Sequence, residues 1–284
     1  MDIPLTRSTL IDLVKRASAP ITTAFGLPLA YQGKDGRDAI AAAVTDIDHA
    51  IQDTLMGLLA GDFIGEEVGG RFTETHTSWL VDPLDGTGAR IRGLASATCI
   101  VTLMQTHNGV GRPLLTVIHN PVTQQTWSAQ ANAGAFYQYA DGPEHQCVLD
   151  THSSLPEKIL STITLWPGTD FHFDEVKNSV QANSRFDNQD FGALGSAHAT
   201  VATGTTHLSA CRASAAYETA AAALLMQEAG GVVYDLNGAN LILDGFPLQN
   251  KDGKHTFLIP NGAVVASSEA VAQEFLQIVR LINF

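Results

Sequence analysis

Cysteine, aromatic residues and positive charge are all scarce in this chain, and each scarcity excludes something. Only three cysteines occur, Cys99, Cys147 and Cys211; odd in number and widely scattered, they form no readable disulfide framework or CxxC zinc site. Lys and Arg total 16 against 29 Asp and Glu, a formal charge of −13. A chain so short of cations lacks the basic face that nucleic acid or an anionic membrane surface would require. No apolar run could span a bilayer, for the longest nearly apolar stretch is Ala220 to Met226. Asp2, Arg7, Asp12, Lys15 and Arg16 interrupt the N-terminus, where a secretory signal would be basic and then apolar. Repeats, low-complexity tracts and charged tails are missing too. The expectation is a cytoplasmic protein with no nucleic-acid or membrane partner. What is present suits a globular fold: 284 residues, 45% hydrophobic and 16% charged, are too apolar for disorder and enough for a substantial core.

Two regimes follow one another along the chain. In the first, residues 1–150, Ile3 to Ala19 reads as an amphipathic helix stopped by Pro20, and Gly26 to Gly36 as a loop or loose hairpin. Ile47, Ile51, Leu55, Leu58 and Leu59 recur at helical spacing, with Gly61 as the stop. Trp79–Val81, Thr98–Met104, Leu114–Ile118 and Thr126–Ser128 have strand character, which suggests an antiparallel sheet covered by the early helices. In the second, residues 151–284, strands at Ile159–Leu165, Val232–Tyr234 and Val264–Ala266 alternate with helices at Phe173–Ala182, Ala197–Thr203, Glu218–Glu228 and Glu269–Leu281. An α+β half followed by an α/β half, with no linker between them, predicts one two-part domain over 1–284.

The chemistry is concentrated in carboxylates. In Trp79-Leu80-Val81-Asp82-Pro83-Leu84-Asp85-Gly86-Thr87-Gly88, Pro83 disfavours helix for Asp82 before it. The strand is therefore expected to end in a turn that gathers Asp82, Asp85 and the Leu84 carbonyl around one volume. Gly86 permits close backbone approach and Thr87 adds a hydroxyl. Oxygen ligands without His or Cys indicate Mg²⁺, Mn²⁺ or Ca²⁺ rather than zinc. Gly65-Glu66-Glu67 supplies a second acidic cluster, and Tyr217-Glu218 opens the Ala-rich helix with a third. Taken singly, the second reads equally as a solvated turn and the third as an acid favouring a helix N-terminus.

Together, Val44-Thr45-Asp46-Ile47-Asp48, Gly65-Glu66-Glu67, Trp79 to Thr87 and Tyr217-Glu218 with Glu228-Ala229-Gly230-Gly231 resemble the motifs of the inositol monophosphatase family. Weaker likeness at Asn120-Pro121-Val122 and Gly134-Ala135-Phe136 extends the match over roughly residues 40 to 270. The resemblance implies an α/β fold, a layered α-β-α-β-α sandwich of the inositol monophosphatase and sugar bisphosphatase type. It also implies a magnesium-dependent, lithium-sensitive phosphomonoesterase acting on a small phosphorylated metabolite, with Mn²⁺ as a possible substitute, and a homodimer. By position, Glu66, Asp82 and the Leu84 carbonyl would hold the metal that activates water. Asp82, Asp85 and Glu218 would hold a second beside the leaving oxygen. Thr87, supported by Asp48, would orient the attacking water with Glu66. Asp85 and the backbone at Gly86 and Thr87 would meet the substrate, as would the turn at Gly192 and Ala193.

Some positions depart from the family pattern. Glu218 stands where the family has Asp, and Ala89-Arg90 where it has Asn-Phe. Cys211 falls where the resemblance places an inositol-contacting glutamate. Gly195-Ser196-Ala197 competes with Gly192-Ala193-Leu194 for the substrate loop. Arg90 and Arg92 read as surface pairings first and as anion-binding groups second; in the latter role they would favour a bisphosphate nucleotidase or sugar bisphosphatase. A third reading is a catalytically weak, metal-binding regulatory protein, against which Thr87, Asp48 and Glu66 argue. Ten scattered histidines show no metal-ligand spacing, and Gly86-Thr87-Gly88 lacks the last glycine of a dinucleotide fingerprint.

Overall fold

A computed structural model of the chain describes residues 5–26, 31–33, 43–67, 76–150, 155–164, 173–212, 215–251, 254–259 and 261–282. Helix α1 (Arg7–Ala17) and the short α2 (Ala19–Thr23) lead to a two-stranded antiparallel ribbon, β1 (Tyr31–Gly33) and β2 (Ala43–Thr45). Next come α3 (Asp46–Leu58), β3 (Asp62–Gly65), β4 (Thr77–Asp85) and α4 (Thr87–Ile91). A meander follows: β5 (Thr98–His107), β6 (Val110–Asn120), β7 (Gln125–Gln130), β8 (Gly134–Tyr139) and β9 (Glu144–Cys147). The chain continues through β10 (Ile159–Thr164), α5 (Phe173–Ala182), β11 (Phe186–Asn188), α6 (Leu194–Ala202), β12 (Leu208–Cys211) and α7 (Tyr217–Ala229). It closes with β13 (Val232–Tyr234), α8 (Leu241–Asp244), β14 (Phe246–Lys251), β15 (Lys254–Phe257), β16 (Ala263–Ala266) and α9 (Glu269–Ile282).

Strands β3 to β9 pair in sequence order to form the large sheet, which β14 and β15 extend through β6. The small sheet has the order β11-β10-β12-β16-β13. In it β10, β11 and β12 run parallel and β16 runs against its neighbours. Helices α1 and α3 cover one face of the large sheet, α6 and α7 lie between the two sheets, and α5 and α9 close the outside of the small one. This is the expected α-β-α-β-α sandwich. Three apolar cores fill its spaces, one beneath α1 and α3, one around α7, and one beneath α9. Helix α7 carries Ala220–Ala223, Leu224, Leu225 and Met226 on all sides, as a helix between two sheets requires.

The structure departs from the sequence reading at several elements. Thr6 caps α1 by accepting from Thr9 N, and Pro20 stops nothing. Instead it lies in the first turn of α2, where a missing N–H has no helical partner to lose. The large sheet is mixed rather than purely antiparallel, because β3 runs parallel to β4. Within the Gly26–Gly36 segment read as a loop, residues 31–33 pair with β2, while 27–30 and 34–36 lie outside the described residues. So does Leu165 at the end of the expected β10.

Candidate active site

Strand β4 does not stop at Asp82. It continues to Asp85 through a bulge: Asp82 faces Ile100 on β5 and Asp85 faces Thr98, so β4 carries one residue more than its partner between them. Side chains alternate along a strand, and residues three apart would normally point to opposite faces. The extra residue, at the segment containing Pro83 with its missing N–H, brings both carboxylates to one side. Leu84 N donates to Asp82 Oδ1 at 3.0 Å and holds that turn in place.

Across from the bulge, α7 begins at Tyr217 and delivers Glu218. One oxygen each from Asp82, Asp85 and Glu218 lie within 4.8 Å of one another. Glu66 follows the end of β3, with its N–H bonded to Val81 O at 3.1 Å, and its carboxyl shares a hydrogen bond with Asp82. The Tyr217 hydroxyl donates to Gly65 O at 3.2 Å, tying the start of α7 to the residue before Glu66. Burial pushes the Asp82 and Glu218 carboxyls well above the ordinary carboxylate range, and the neighbouring acids push them further. Asp85 is raised to about 6, mainly by burial. Its three hydrogen-bond donors oppose the rise. They are Gly195 N (2.7 Å) and Thr98 Oγ1 (2.9 Å) on Oδ2, and Leu194 N (3.0 Å) on Oδ1.

Asp48 is positioned by the start of α3. Thr45 and Asp48 form a capping box, in which Asp48 Oδ2 accepts from Thr45 N at 2.8 Å and from the Thr45 hydroxyl. Oδ1 is left for Thr87 Oγ1, 3.1 Å away, and the same hydroxyl lies 2.8 Å from Leu84 O. Asp48 is fully buried, which raises its pKa; the hydrogen bonds from Thr45 and Thr87 partly offset this.

Gly86 joins the two groups in a left-handed conformation (φ +80), and a Cβ there would lie 2.5 Å from Ala193 Cβ. The Gly192–Ala193 turn, itself at φ +70 on Gly192, thus packs directly on the metal-motif turn. The competing Gly195-Ser196-Ala197 lies inside α6, with the Ser196 hydroxyl donating to Ser96 O at 2.5 Å. Helix α6 starts three residues earlier than its sequence suggests. Ala193 offers no side-chain cap, and Asp85 from β4 takes the first N–H groups instead.

A domain model of the inositol monophosphatase family matches residues 5–282 of the chain. The chain belongs to the inositol monophosphatase family. Its relatives within and near the family include a histidinol-phosphatase of Mycobacterium tuberculosis, 28% identical over 69% of this chain and 75% of that protein. An inositol-1-monophosphatase of Caulobacter vibrioides is 28% identical over 79% of this chain and 87% of its own. Among solved structures, the extragenic suppressor protein suhB of Bartonella henselae superposes with a TM-score of 0.76 at 19% identity, over 96% of this chain and 97% of that one. At that identity the likeness is one of fold. The chain is accordingly a phosphatase of the inositol monophosphatase family.

Two departures from the family pattern take on a physical form. Arg90, read as a surface residue, is buried: its guanidinium donates to Ala24 O and lies 5.1 Å from the Phe25 ring centre. Arg92 stays on the surface, donating to Gly88 O at 3.2 Å. Cys211, at the end of β12, is buried with Sγ 3.8 Å from His198 Nε2. Sequence reasoning named Thr45 only as part of the Val44–Asp48 motif and gave it no role, although its Thr-x-x-Asp spacing signals a capping box. It also missed Thr98 and the α6 amides, for which no local pattern exists. Among the described residues, no helix is long and apolar enough to cross a membrane.

Proposed function

We propose that the protein is a magnesium-dependent phosphomonoesterase for a small phosphorylated metabolite, in which 1–284 act as one catalytic domain. The supporting observation is the convergence of Asp82, Asp85 and Glu218 beside the Thr87–Asp48 pair. The buried Asp82 and Asp85 and the half-buried Glu218, close together and each raised in pKa, form a site short of positive charge. The donors are all oxygen, as a hard divalent cation prefers, and one oxygen from each acid lies within 4.8 Å of the others, close enough for the three to share one ion. The residues fit such an ion. Glu66, Asp82, the Leu84 carbonyl, Asp85 and Glu218 would hold Mg²⁺, with Mn²⁺ as an alternative. When bound, the cation supplies Lewis acidity, offsetting phosphoryl charge and favouring hydroxide formation from water near neutral pH.

The remaining work falls to the chain's own groups. Thr87 has one hydroxyl proton and two acceptors, Asp48 Oδ1 and Leu84 O. Giving that proton to Asp48 leaves the Thr87 oxygen free to accept from an attacking water, so Thr87 and Asp48 orient the water together with Glu66. Asp85, immobilised by three donors, faces the substrate without needing to reorganise. The Gly86–Thr87 backbone and the Gly192–Ala193 turn line the phosphate side.

Cys211 supports a second reading of the alcohol portion. Its thiol is buried against His198, so no carboxylate stands where the resemblance places the polyol-binding group. An amino alcohol phosphate, of the kind the histidinol-phosphatase relative is named for, is therefore as eligible as an inositol phosphate. Burial of Arg90 removes one of the two arginines that would favour a bisphosphate. The test is phosphate release from a panel of inositol, histidinol, sugar and nucleotide phosphates, with Mg²⁺, with Mn²⁺, with lithium and after chelation. Magnesium-dependent, lithium-inhibited turnover of one class is expected. Full activity after exhaustive chelation would sink the reading. Homodimerisation, proposed on the family resemblance, is checked by light scattering.

A further inference from the structure

Thr45 closes β2 and caps α3, and it is almost fully buried. Its N–H reaches Asp48 Oδ2 at 2.8 Å, and its hydroxyl donates to the same oxygen. The hydroxyl oxygen also accepts from Asp48 N at 3.4 Å, which turns its proton away from that N–H and toward Oδ2. A carboxylate oxygen has about two lone-pair sites, so one residue saturates Oδ2. Asp48 has no exposed surface, so bulk water offers no substitute for either donor. The bond that caps the helix, from Asp48 N, is longer than the 2.8 Å bond that Thr45 N makes to the carboxylate. The arrangement holds the carboxylate at least as firmly as it ends the helix.

That hold decides what the other carboxylate oxygen does. Thr87 Oγ1 lies 3.1 Å from Asp48 Oδ1 and 2.8 Å from Leu84 O, and its single proton goes to one of them. On distance alone the carbonyl would take it. An ionised carboxylate oxygen is the stronger acceptor, provided that it is kept facing the hydroxyl. With Oδ2 fixed by two donors, the Asp48 carboxylate cannot turn about χ2 without breaking both bonds. Oδ1 therefore stays on Thr87.

We propose that Thr45 is a positioning residue for the reaction: by holding Asp48 Oδ2 with two donors, it fixes Oδ1 as the acceptor of the Thr87 proton. This rests on the proposed part of Thr87 and Asp48 in orienting the attacking water, and it adds a residue that acts only through them. Without the Thr45 hydroxyl, Oδ2 keeps a single donor, the carboxylate gains freedom to turn, and the Thr87 proton is released to Leu84 O. The Thr87 oxygen then holds the water less often in the attacking direction.

The test compares Thr45→Val, Thr45→Ser and Thr87→Ala in the full chain with Mg²⁺, following phosphate release from inositol 1-phosphate and from histidinol phosphate. Thr45→Val keeps the shape of the side chain and the main-chain donor but removes the hydroxyl. It should lower kcat roughly tenfold, the scale of one lost hydrogen bond, and leave KM and the calorimetric Mg²⁺ affinity unchanged. Thr45→Ser, which retains the hydroxyl, should keep most of the turnover. In a Thr87→Ala background, Thr45→Val should cost no further turnover, because the hydroxyl through which it acts is gone. Its effect on melting temperature should be the same in both backgrounds, which separates the loss of a helix cap from the loss of positioning. Wild-type kcat in Thr45→Val, with Thr87→Ala impaired, overturns the proposal and leaves the role of Thr87 standing. So does a Thr45→Val loss that adds in full to that of Thr87→Ala, or one that Thr45→Ser shares. An unimpaired Thr87→Ala removes the role of Thr87 itself, and the proposal falls with it.

Discussion

Asp85 accepts two hydrogen bonds on Oδ2 and one on Oδ1, and a carboxylate offers about four lone-pair sites. One site remains, and an Asp85 oxygen lies within 4.8 Å of oxygens of Asp82 and Glu218. Glu218 has no such anchoring from the described side chains, so its position depends on the start of α7. Glu218→Gln should weaken magnesium binding and lower turnover by orders of magnitude, with little change in melting temperature in the absence of metal. Titration calorimetry and phosphate release measure both. Were Glu218 only an acid at a helix start, the change would cost about 0.3–1 kcal/mol of stability and no activity. Thr87 is the complementary case, since its hydroxyl bonds Asp48 and Leu84 O rather than the acidic cluster. Thr87→Ala should reduce turnover by roughly 10² or more, the scale of a positioned proton-transfer group, and leave metal affinity nearly intact. Loss of the metal together with activity would remove Thr87 from its proposed role.

Elements, rather than residues, set the shape of the turn at Gly86. The β4 bulge aims two acids at one point, and the chain then turns through a positive φ directly beneath Ala193. A side chain at this position meets two costs, roughly 1–2 kcal/mol for the left-handed backbone and a further one for the 2.5 Å approach of Cβ to Ala193. Gly86→Ala should therefore lower the melting temperature and nearly abolish phosphate release. Adding Ala193→Gly should restore part of the stability, more than the two single effects sum to, because only the steric component is relieved. Simple additivity in that double-mutant cycle would show that the two turns do not bear on each other. Tyr217 makes a second such link, from α7 to the end of β3 through its hydroxyl.

At the scale of the whole molecule, α6 and α7 fill the space between two sheets, and that space contains a buried histidine. His198 Nδ1 lies 2.9 Å from Ser209 Oγ, and burial lowers its pKa from 6.5 to about 4. Between those values the unfolded chain binds a proton that the folded one excludes. The stability that neutral His198 confers is therefore complete above about pH 6.5 and is lost as pH falls toward about 4. Raised carboxylates in the metal-free site act in the opposite sense, so wild-type stability alone does not isolate the effect. The difference between wild type and His198→Asn does. The stability advantage of wild type should shrink as pH is lowered from 7.5 to 5, by at most ~1.4 kcal/mol per pH unit. A difference independent of pH, measured by denaturant unfolding, would mean that His198 takes up protons alike in the folded and unfolded chain.

Much of the site was legible because its acids cluster in short segments. Trp79 to Thr87 names three of the groups that converge, and the run Ala220–Ala223 with Gly230 at its end marks the central helix to within a residue or two. Helices α5 and α9 follow their own periodicity, and so lie where the pattern puts them. Other features depend on partners far along the chain. Helix α6 begins at Leu194 because Asp85, more than a hundred residues earlier, accepts its first N–H groups. Asp82 and Asp85 face the same way because β5 holds one residue fewer across from them. Arg90 is interior because Ala24 and Phe25 meet it, although its charge predicts the surface. Sequence by itself determined which acids, with the Thr87 hydroxyl, were candidates for the site, since composition and short spacing are properties of one stretch of chain. Their orientation was decided only by tertiary structure, because hydrogen-bond donors and packing surfaces from distant segments have no local signature.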